Sequence, residues 1–294
     1  MISHPEKVLF PDAGITKGEL ATYYEQIAPG LLPHLARRPL TMERYPSGIA
    51  KKGFWQKDAP KGTPAWVERA AVPHRSGVVH YPLITDVRGV LWTANLNAIT
   101  HHVWTTRAPD LFGPDICVFD LDPSENEKPE QLRSATLLLR DLLEELQLPS
   151  WVKTTGSKGF HVVVPLDGQT DTAQSAAFAH TVGALLVRRH PHIFTQQFLK
   201  ADRAGRILVD TGRNEPGATF ATAYTVRARA GAPVSAPCTW EEIERGEVSP
   251  ASFHVRNMAR RMDAVGELWS GLHARGASLR EAMPHLERLA ASVA

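Results

Sequence analysis

The sequence predicts an α+β fold with mixed sheets, and three observations lead to this expectation. Short apolar runs of extended character alternate with segments whose apolar residues recur at helical spacing. No internal repeat, low-complexity tract or long linker interrupts the 294 residues. A hydrophobic fraction of 43% over that length supplies enough apolar side chains for one large core or two smaller ones.

Composition excludes several classes of protein. The two cysteines, Cys117 and Cys238, argue against a disulfide framework, and no Cys/His cluster has zinc spacing. The N-terminus lacks the apolar core of a signal peptide, and no apolar run approaches the roughly 18 residues of a membrane helix. These features predict a soluble protein in a reducing, intracellular setting, with no membrane partner.

Charge is informative only locally. The net charge of +2 neither requires nor excludes a nucleic-acid partner. The segment from Arg188 to Arg229 is basic, with eight Lys or Arg against three acids. Such a segment could face an anion or form a solvated face.

In the N-terminal third, Thr16 and Glu19 form a capping-box pattern that predicts the start of a helix. The region between Pro39 and Asp86 is rich in Pro, Gly and aromatic residues and predicts antiparallel strands with long loops. The stretch "VLWTANLNAITHHVW" is compatible with either a helix or a strand.

The central third reads as alternating strands and helices. "ICVFDLDP" predicts a buried strand, and apolar residues from Leu132 to Leu146 predict an amphipathic helix that ends before Pro149. "SWVKTTGSKGFHVVVPL" reads as a strand, a glycine-containing turn and a second strand, and "AQSAAFAHTVGALLVRRH" as a helix. "GRILVDTGRN" and "ATAYTVRARAG" read as two further strands, and the last forty residues as mainly helical.

Carboxylates stand where two of these strands end. Asp120 and Asp122 alternate with Phe119 and Leu121, so the two acids face the same side of the strand. Like charges this close need a neutralising cation, and a hard divalent ion such as Mg²⁺ or Mn²⁺ suits carboxylates. With Asp210 they make three acids, the number that a two-metal phosphoryl-transfer site uses. The alternative is a plain strand end followed by an Asp-Pro turn.

The stretch "TTGSKGFH" supplies groups that bind phosphate. Gly156 and Gly159 permit a turn of backbone amides, while Thr155 and Ser157 offer hydroxyls and Lys158 a positive charge. The spacing is not that of a P-loop. An ordinary hairpin with an exposed lysine is the alternative.

Histidines and arginines complete the candidates. His101, His102 and His161 are possible metal or phosphate partners, and we rank His102 first. Arg213 follows Asp210 by three residues. Arg227 and Arg229 are two residues apart and would share one face of the expected "YTVRAR" strand. Paired guanidinium groups suit phosphate, and a solvated strand face is the alternative.

Seven blocks in order along nearly the whole chain resemble the polymerase domain of bacterial ligase D, a member of the archaeo-eukaryotic primase superfamily. They are "EKVLFPDAGITKGELATYY", "RRPLTMERYPSGIAKKGFWQKDAP", "FDLDP", "TTGSKGFHVVVPL", "ILVDTGRN", "YTVRARAGAPVSAPCTWEE" and "FHVRNMARRM". The resemblance implies the primase-polymerase fold, with mixed or antiparallel sheets around a central catalytic cleft and flanking helices. It also implies a template-dependent nucleotidyltransferase that fills gaps and extends ends in non-homologous end joining, favouring ribonucleotides.

The resemblance implies roles for single residues. Asp120, Asp122 and Asp210 would hold two Mn²⁺ or Mg²⁺ ions and so be the catalytic residues. The incoming NTP or dNTP would contact His102, Lys158 and Arg227, supported by Thr155, Ser157 and, more weakly, Arg213. Lys7 and Lys17 would hold the 5′-phosphate of the downstream DNA strand, and Phe54 and Trp55 would stack on templating DNA. The family usually has serine at the position of Thr155.

The resemblance also implies an organisation and partners. We expect one primase-polymerase domain over 1–294, with a DNA-binding part at 1–100, a catalytic core at 101–235 and a helical part at 236–294. No K-x-D-G ligase motif occurs, so we expect a stand-alone polymerase module without ligase or nuclease domain. Its partners would be gapped or broken DNA, a separate ligase and a Ku-like protein, in the bacterial cytoplasm at the nucleoid.

Three other readings remain open. An aspartyl phosphohydrolase also has D-x-D after an apolar strand, but Pro123 stands where a Gly-Thr or Ser/Thr turn is usual. A glycosyltransferase could use D-x-D to hold the metal of a nucleotide sugar. A catalytically silent module that binds DNA ends could retain the same fold.

Overall fold

The computed structural model describes residues 2–75, 77–124, 128–274 and 276–293. Short 3₁₀ turns lie at Lys200–Asp202, Gly212–Asn214 and Leu272–Ala274. The helices and strands, numbered in chain order, are β1 (Val8–Phe10), β2 (Ile15–Thr16), α1 (Lys17–Leu35), β3 (Leu40–Arg44), β4 (Phe54–Gln56), β5 (Glu68–His74), β6 (Gly77–Leu83), α2 (Val87–Asn95), β7 (Ala98–Val103), β8 (Ile116–Asp122), α3 (Pro129–Glu145), β9 (Trp151–Thr154), β10 (Phe160–Pro165), α4 (Thr172–Arg189), β11 (Phe194–Thr195), β12 (Ile207–Asp210), β13 (Phe220–Ala221), β14 (Pro237–Cys238), α5 (Trp240–Glu244), α6 (Met258–Val265) and α7 (Leu279–Ser292).

The chain divides into two compact units that interleave in sequence. The first unit comprises residues 1–110, 219–236 and 251–267. The second unit comprises residues 111–218, 237–250 and 268–294. These units are discontinuous, whereas the sequence suggested three consecutive parts, and the assignment of roles to those parts stays a prediction.

The first unit contains a four-stranded antiparallel sheet in the order β13-β7-β3-β4. Helix α1 packs against α2, and β5 and β6 form a separate antiparallel hairpin. The capping box predicted for α1 is confirmed. The Thr16 hydroxyl accepts a hydrogen bond from the Glu19 amide at 3.2 Å, and the Glu19 carboxylate accepts one from the Thr16 amide at 2.9 Å. These bonds satisfy amide groups that a helix N-terminus otherwise leaves unpaired.

The second unit contains a six-stranded sheet in the order β11-β12-β8-β10-β9-β14. All neighbours in this sheet are antiparallel except β11 and β12, so the sheet is mixed. Strand β8 is the predicted "ICVFDLDP" strand, and its Phe119 and Leu121 side chains are fully buried. Helix α4 packs against β8, and α3 packs against β10. Both faces of β8 are buried along most of its length, and the half-buried Asp120 and Asp122 lie at its end.

Most of the predicted elements are confirmed. The ambiguous stretch before Trp104 contains both alternatives, since α2 ends at Asn95 and β7 begins at Ala98. Leu132, Leu139 and Leu143 lie on the buried face of α3, as the helical spacing predicted. In the C-terminal region the helices are α6 and α7.

The strand predicted for "ATAYTVRARAG" is wrong. Only Phe220 and Ala221 pair as a strand, and the chain then turns because Tyr224 has a positive φ of 64°. Val226 makes a single isolated bridge to Val234. Arg227 and Arg229 therefore do not lie on one regular strand, and the strand alternation that would give them a shared face does not apply.

Within the described part of the chain, no helix has the length and apolar character needed to cross a bilayer.

Candidate active site

The three predicted metal carboxylates, Asp120, Asp122 and Asp210, lie together in the second unit, and we call them the acidic triad. Strands β8 and β12 are antiparallel neighbours, and Asp210 is the register partner of Asp120. Asp122 lies two residues beyond Asp120 and so shares its face of the sheet. Sheet pairing thus brings together acids that are 90 residues apart in sequence, which the D-x-D pattern alone could not establish.

The same register continues across two more strands. His161 on β10 lies opposite Asp120, and Lys153 on β9 lies opposite His161. The His161 Nε2 atom is 3.4 Å from Asp120 Oδ1, and the Lys153 side chain is fully buried. Asp210, Asp120, His161 and Lys153 form a cross-strand row on one face of the sheet, and we call them the charged row.

Arg213 bridges two acids of the triad. Its Nη2 atom is 3.2 Å from Asp120 Oδ2 and 3.0 Å from Asp210 Oδ2. The side chain leaves the 3₁₀ turn Gly212–Asn214 that directly follows β12. From the family resemblance we expected Arg213 to contact the incoming nucleotide, and in this structure its guanidinium lies on the carboxylates.

Arg203 neutralises the third acid. Its Nη1 atom donates to Asp122 Oδ2 at 3.0 Å, and its other nitrogens donate to the backbone carbonyls of Gln197 and Phe198. The Arg203 side chain is only 4% exposed, so these contacts fix it in place. Basic side chains of the segment from Arg188 to Arg229 thus form ion pairs within the protein, since Arg189 likewise pairs with Glu145.

These contacts influence the protonation of Asp120 and Asp210. Burial would raise the pKa of Asp120, but His161, Arg213 and Lys153 hold that pKa well below its usual range. Burial raises the pKa of Asp210, and the nearby Arg213 opposes the rise. Burial lowers the pKa of His161 to about 4, so the imidazole is neutral at pH 7. Asp120 is therefore a carboxylate over the whole physiological pH range.

The donor chemistry of the triad fits a hard divalent cation, because Mg²⁺ and Mn²⁺ prefer carboxylate oxygens. Among the described residues, which include all three acids, no group of three or more His, Cys, Asp or Glu side chains is arranged to hold an ion as the side chains now stand. The oxygens of Asp120 and Asp210 that face each other contact a guanidinium nitrogen instead.

The turn between β9 and β10 is held by Thr155. Its hydroxyl donates to the Gly159 carbonyl at 3.0 Å and accepts hydrogen bonds from the amides of Ser157 and Gly159 at 3.2 and 3.1 Å. From the sequence we expected these amides to face an anion, and in this structure two of them face the threonine oxygen. Thr155 thus shapes the turn, while Ser157 is half-buried and Lys158 is exposed.

Glycine is needed at two positions of this turn, for a different physical reason at each. Gly156 adopts a positive φ of 62°, which side chains rarely tolerate. A Cβ atom on Gly159 would lie 1.8 Å from the Leu121 carbonyl oxygen, so β8 requires glycine there. The turn is therefore packed directly against the strand that carries Asp120 and Asp122.

In the first unit, His102 lies on β7 next to an aromatic residue of the edge strand β4. The rings of His102 and Trp55 are 4.6 Å apart in an edge-on arrangement. Phe54 faces the other way, where the Arg44 guanidinium lies 5.2 Å from its ring. Phe54 and Trp55 are both exposed, at 45% and 54%, but they project from opposite faces of β4. A single stacking surface formed by both rings does not follow from this geometry.

Arg227 lies near the start of the segment that replaces the expected strand. Its amide donates to the Pro233 carbonyl at 2.7 Å, and its side chain is half-buried. The positive charges of Arg227 and Arg229 act on Tyr45, but burial and Glu43 outweigh them and raise the pKa of Tyr45 to about 12. A role for Arg227 in nucleotide binding stays a prediction.

The structure brings Lys7 and Lys17 together. The Lys17 amide donates to the Lys7 carbonyl at 2.8 Å, and the Lys17 Nζ atom donates to the Ser3 hydroxyl at 3.1 Å. The pKa of Lys17 is lowered by burial and by the charge of Lys7. Two lysines close enough to depress a pKa are an arrangement that an anion would stabilise.

Two residues of the second unit were missed by sequence reasoning. Lys153 could have been found by pairing β9 with β10 around the glycine turn, because that pairing puts it opposite His161. Arg203 carried no local signal, since its contact with Asp122 joins residues 81 positions apart.

Comparisons with known proteins agree with this architecture. Residues 16–269 match the model of the LigD primase-polymerase domain. The chain is 34% identical over 275 residues to the multifunctional non-homologous end joining protein LigD of Mycolicibacterium smegmatis, covering 93% of this chain and 36% of that protein. It is 33% identical over 266 residues to the LigD protein of Pseudomonas aeruginosa, covering 90% of this chain and 31% of that protein. The chain thus spans about a third of the length of these curated relatives.

The fold also matches a solved structure. The polymerase domain of Mycobacterium tuberculosis ligase D, solved in complex with DNA, superposes with a TM-score of 0.88 at 32% identity, covering 94% of this chain and 99% of that chain. This match confirms the predicted fold class. The length of the family match, together with the identity to curated relatives, establishes that the chain belongs to the LigD primase-polymerase domain family.

Proposed function

We propose that this protein is a template-dependent nucleotidyltransferase that fills gaps and extends DNA ends during non-homologous end joining. The observation that carries the proposal is the direct pairing of Asp210 with Asp120, which gathers the acidic triad on one face of the sheet. The relatives are named as end-joining proteins, and the similar solved structure is a polymerase domain with DNA. Both likenesses support the proposal.

Within this proposal the acidic triad binds two Mn²⁺ or Mg²⁺ ions. Bound there, such ions would lower the pKa of a primer 3′-hydroxyl and neutralise the triphosphate. The chain itself contributes three carboxylic acids, of which Asp120 stays ionised at physiological pH, and strands that fix their spacing. Such chemistry depends mainly on positioning and on electrostatic stabilisation.

The remaining predicted residues bind the substrates. Lys158 and Ser157 project from the turn that packs on β8 and would contact the triphosphate, while Thr155 holds that turn. His102 and Arg227 keep the nucleotide-binding role that the family resemblance gives them. The lysine pair Lys7 and Lys17 would hold a 5′-phosphate, for which two adjacent ammonium groups are suited.

Further features of the proposal come from the family resemblance. They are a preference for ribonucleotides, a cytoplasmic location and cooperation with a ligase and a Ku-like protein.

The test is extension of a labelled primer on a gapped duplex with a downstream 5′-phosphate, in Mn²⁺, with ribonucleotides and deoxyribonucleotides compared. Asp120→Ala is the inactive variant, and Asp115→Ala, which changes an acid that lies just before β8 in the same unit, is the matched control. Metal-dependent addition by the wild type and the control but not by Asp120→Ala would support the proposal. Full activity of Asp120→Ala would remove the metal assignment.

If no primer is extended, binding of the gapped DNA decides between the remaining functions. Tight binding of the phosphorylated gap without addition would favour a silent module that binds DNA ends. Neither binding nor addition would lead to trials of nucleotide-sugar transfer and phosphate-ester hydrolysis.

A further inference from the structure

We propose that Arg213 is a resident counter-ion of the acidic triad that a divalent cation must displace, so that this arginine sets the affinity for the metal. The inference rests on the proposed metal-dependent function and concerns a residue whose position the sequence did not reveal.

The guanidinium of Arg213 bridges two carboxylates of the triad. One atom, Nη2, contacts Oδ2 of both Asp120 and Asp210, at 3.2 and 3.0 Å. The second oxygens of the two acids are engaged elsewhere, Asp120 Oδ1 near His161 and Asp210 Oδ1 with the Gly212 amide at 2.9 Å. The paired Oδ2 atoms are therefore the oxygens that an ion shared by both acids would use, and the guanidinium nitrogen lies between them.

The fold holds the Arg213 backbone next to this bridge. Asn214, the next residue, donates to the Val118 carbonyl at 2.7 Å and accepts from the Val118 amide at 2.8 Å. These bonds fasten the 3₁₀ turn to β8, so the Arg213 backbone stays next to the triad. The contact is thus part of the architecture of the second unit.

The Arg213 side chain can leave the triad while its backbone stays. The Arg213 side chain is 39% exposed, whereas the Arg203 side chain on Asp122 is 4% exposed and bonded to three backbone carbonyls as well. Of the two guanidinium groups on the triad, that of Arg213 is therefore the more accessible to solvent. A divalent ion carries more charge than Arg213 and binds oxygens at roughly 2.0 to 2.6 Å, so it can replace the arginine at the paired oxygens.

The experiment measures Mn²⁺ binding alone, without nucleotide or DNA, by calorimetry and by the electron paramagnetic resonance signal of free Mn²⁺. Arg213→Gln should bind Mn²⁺ roughly tenfold more tightly than the wild type, because the competing positive charge is gone. Arg213→Lys should stay close to the wild type, since it keeps the charge. Arg188→Gln, which removes the same charge from an exposed position in the last turn of α4, should leave the affinity unchanged.

Thermal unfolding gives a second readout that also reports on folding. Without metal, Arg213→Gln should melt at a lower temperature than the wild type because two facing carboxylates lose their counter-ion. Added Mn²⁺ should raise the melting temperature more in this variant than in the wild type.

The outcomes separate the inference from the proposed function. Mn²⁺ binding that is equal or weaker in Arg213→Gln than in the wild type would overturn the counter-ion role while leaving a metal-dependent enzyme. Binding by neither protein, or binding unaffected by Asp120→Asn, would overturn the metal site at the triad and the inference with it.

Discussion

Asp210 lies directly opposite Asp120 on neighbouring antiparallel strands, and one arginine nitrogen lies between their facing oxygens. Two acids in this position repel each other unless a cation separates them. The strand pairing therefore holds a charge arrangement that favours cation binding, and the function proposed for this protein depends on that arrangement.

Asp210→Asn should reduce nucleotide addition by roughly 10³-fold, because it removes one ionised oxygen donor of the triad while keeping the shape of the side chain. Steady-state primer extension measures the loss. Asp202→Asn, which changes an exposed acid in the nearby 3₁₀ turn, is the control and should keep full activity. Equal activity of the two variants would mean that Asp210 does not belong to the reacting centre.

Gly159→Ala should destabilise the protein by about 3 kcal/mol, because the new methyl group would be forced against the Leu121 carbonyl oxygen. Denaturant unfolding monitored by circular dichroism gives the free energy of unfolding. Gly271→Ala is the matched control, since a Cβ there meets no atom within 4 Å. A Gly159→Ala protein as stable as the control would show that β8 and the turn are not in close contact.

Lys17→Gln should lower the preference for a gap with a 5′-phosphate by about tenfold at fixed ionic strength. The lowered pKa of Lys17 adds a pH dependence: the ammonium is present below that pKa and is lost as pH rises through it, earlier than for an ordinary lysine. Fluorescence anisotropy with phosphorylated and unphosphorylated gaps, from pH 7 to 10, measures both effects. The exposed Lys57→Gln serves as control, and a preference that survives in Lys17→Gln would argue against the lysine pair as the phosphate site.

His101 should make the protein less stable in mild acid. Burial lowers the pKa of His101 from 6.5 to about 3 in the folded protein. In the unfolded chain the imidazole is protonated below pH 6.5, whereas in the folded protein it is protonated only below about pH 3. Stability is therefore lost as pH falls through this window, by roughly 1.4 kcal/mol per pH unit. His161 and His34, whose pKa values are also lowered by burial, act in the same direction.

The pH dependence of the free energy of unfolding tests this assignment. His101→Gln should flatten the slope between pH 6.5 and 5, because the glutamine takes up no proton. His192→Gln, at an exposed histidine, should leave the slope as it is in the wild type. Identical slopes in all three proteins would locate the acid sensitivity elsewhere.

Local patterns predicted those features that depend on neighbours in sequence. The Thr16–Glu19 cap, the β8 strand and the common side of Asp120 and Asp122 follow from spacing alone, and the structure has all of them. The strand expected after Ala221 failed because Tyr224 turns the chain with a positive φ, which its residue type does not suggest.

Long-range pairing accounts for the rest. Lys153, Arg203 and the bridge made by Arg213 depend on which strands and loops meet, and a single sequence carries no direct record of that. The resemblance to a known family supplied predicted roles for distant residues such as Lys7 and Lys17, and these roles stay predictions. It did not reveal that Phe54 and Trp55 project from opposite faces of β4.

The charged row constrains how this sheet can change in length. Its four side chains share a face only while β12, β8, β10 and β9 keep one register. Insertion of one residue within β8 or β10 would turn every following side chain to the opposite face. These strands can therefore accept substitutions but not single insertions or deletions, and variation in length among related chains should be confined to the connecting segments outside the sheet.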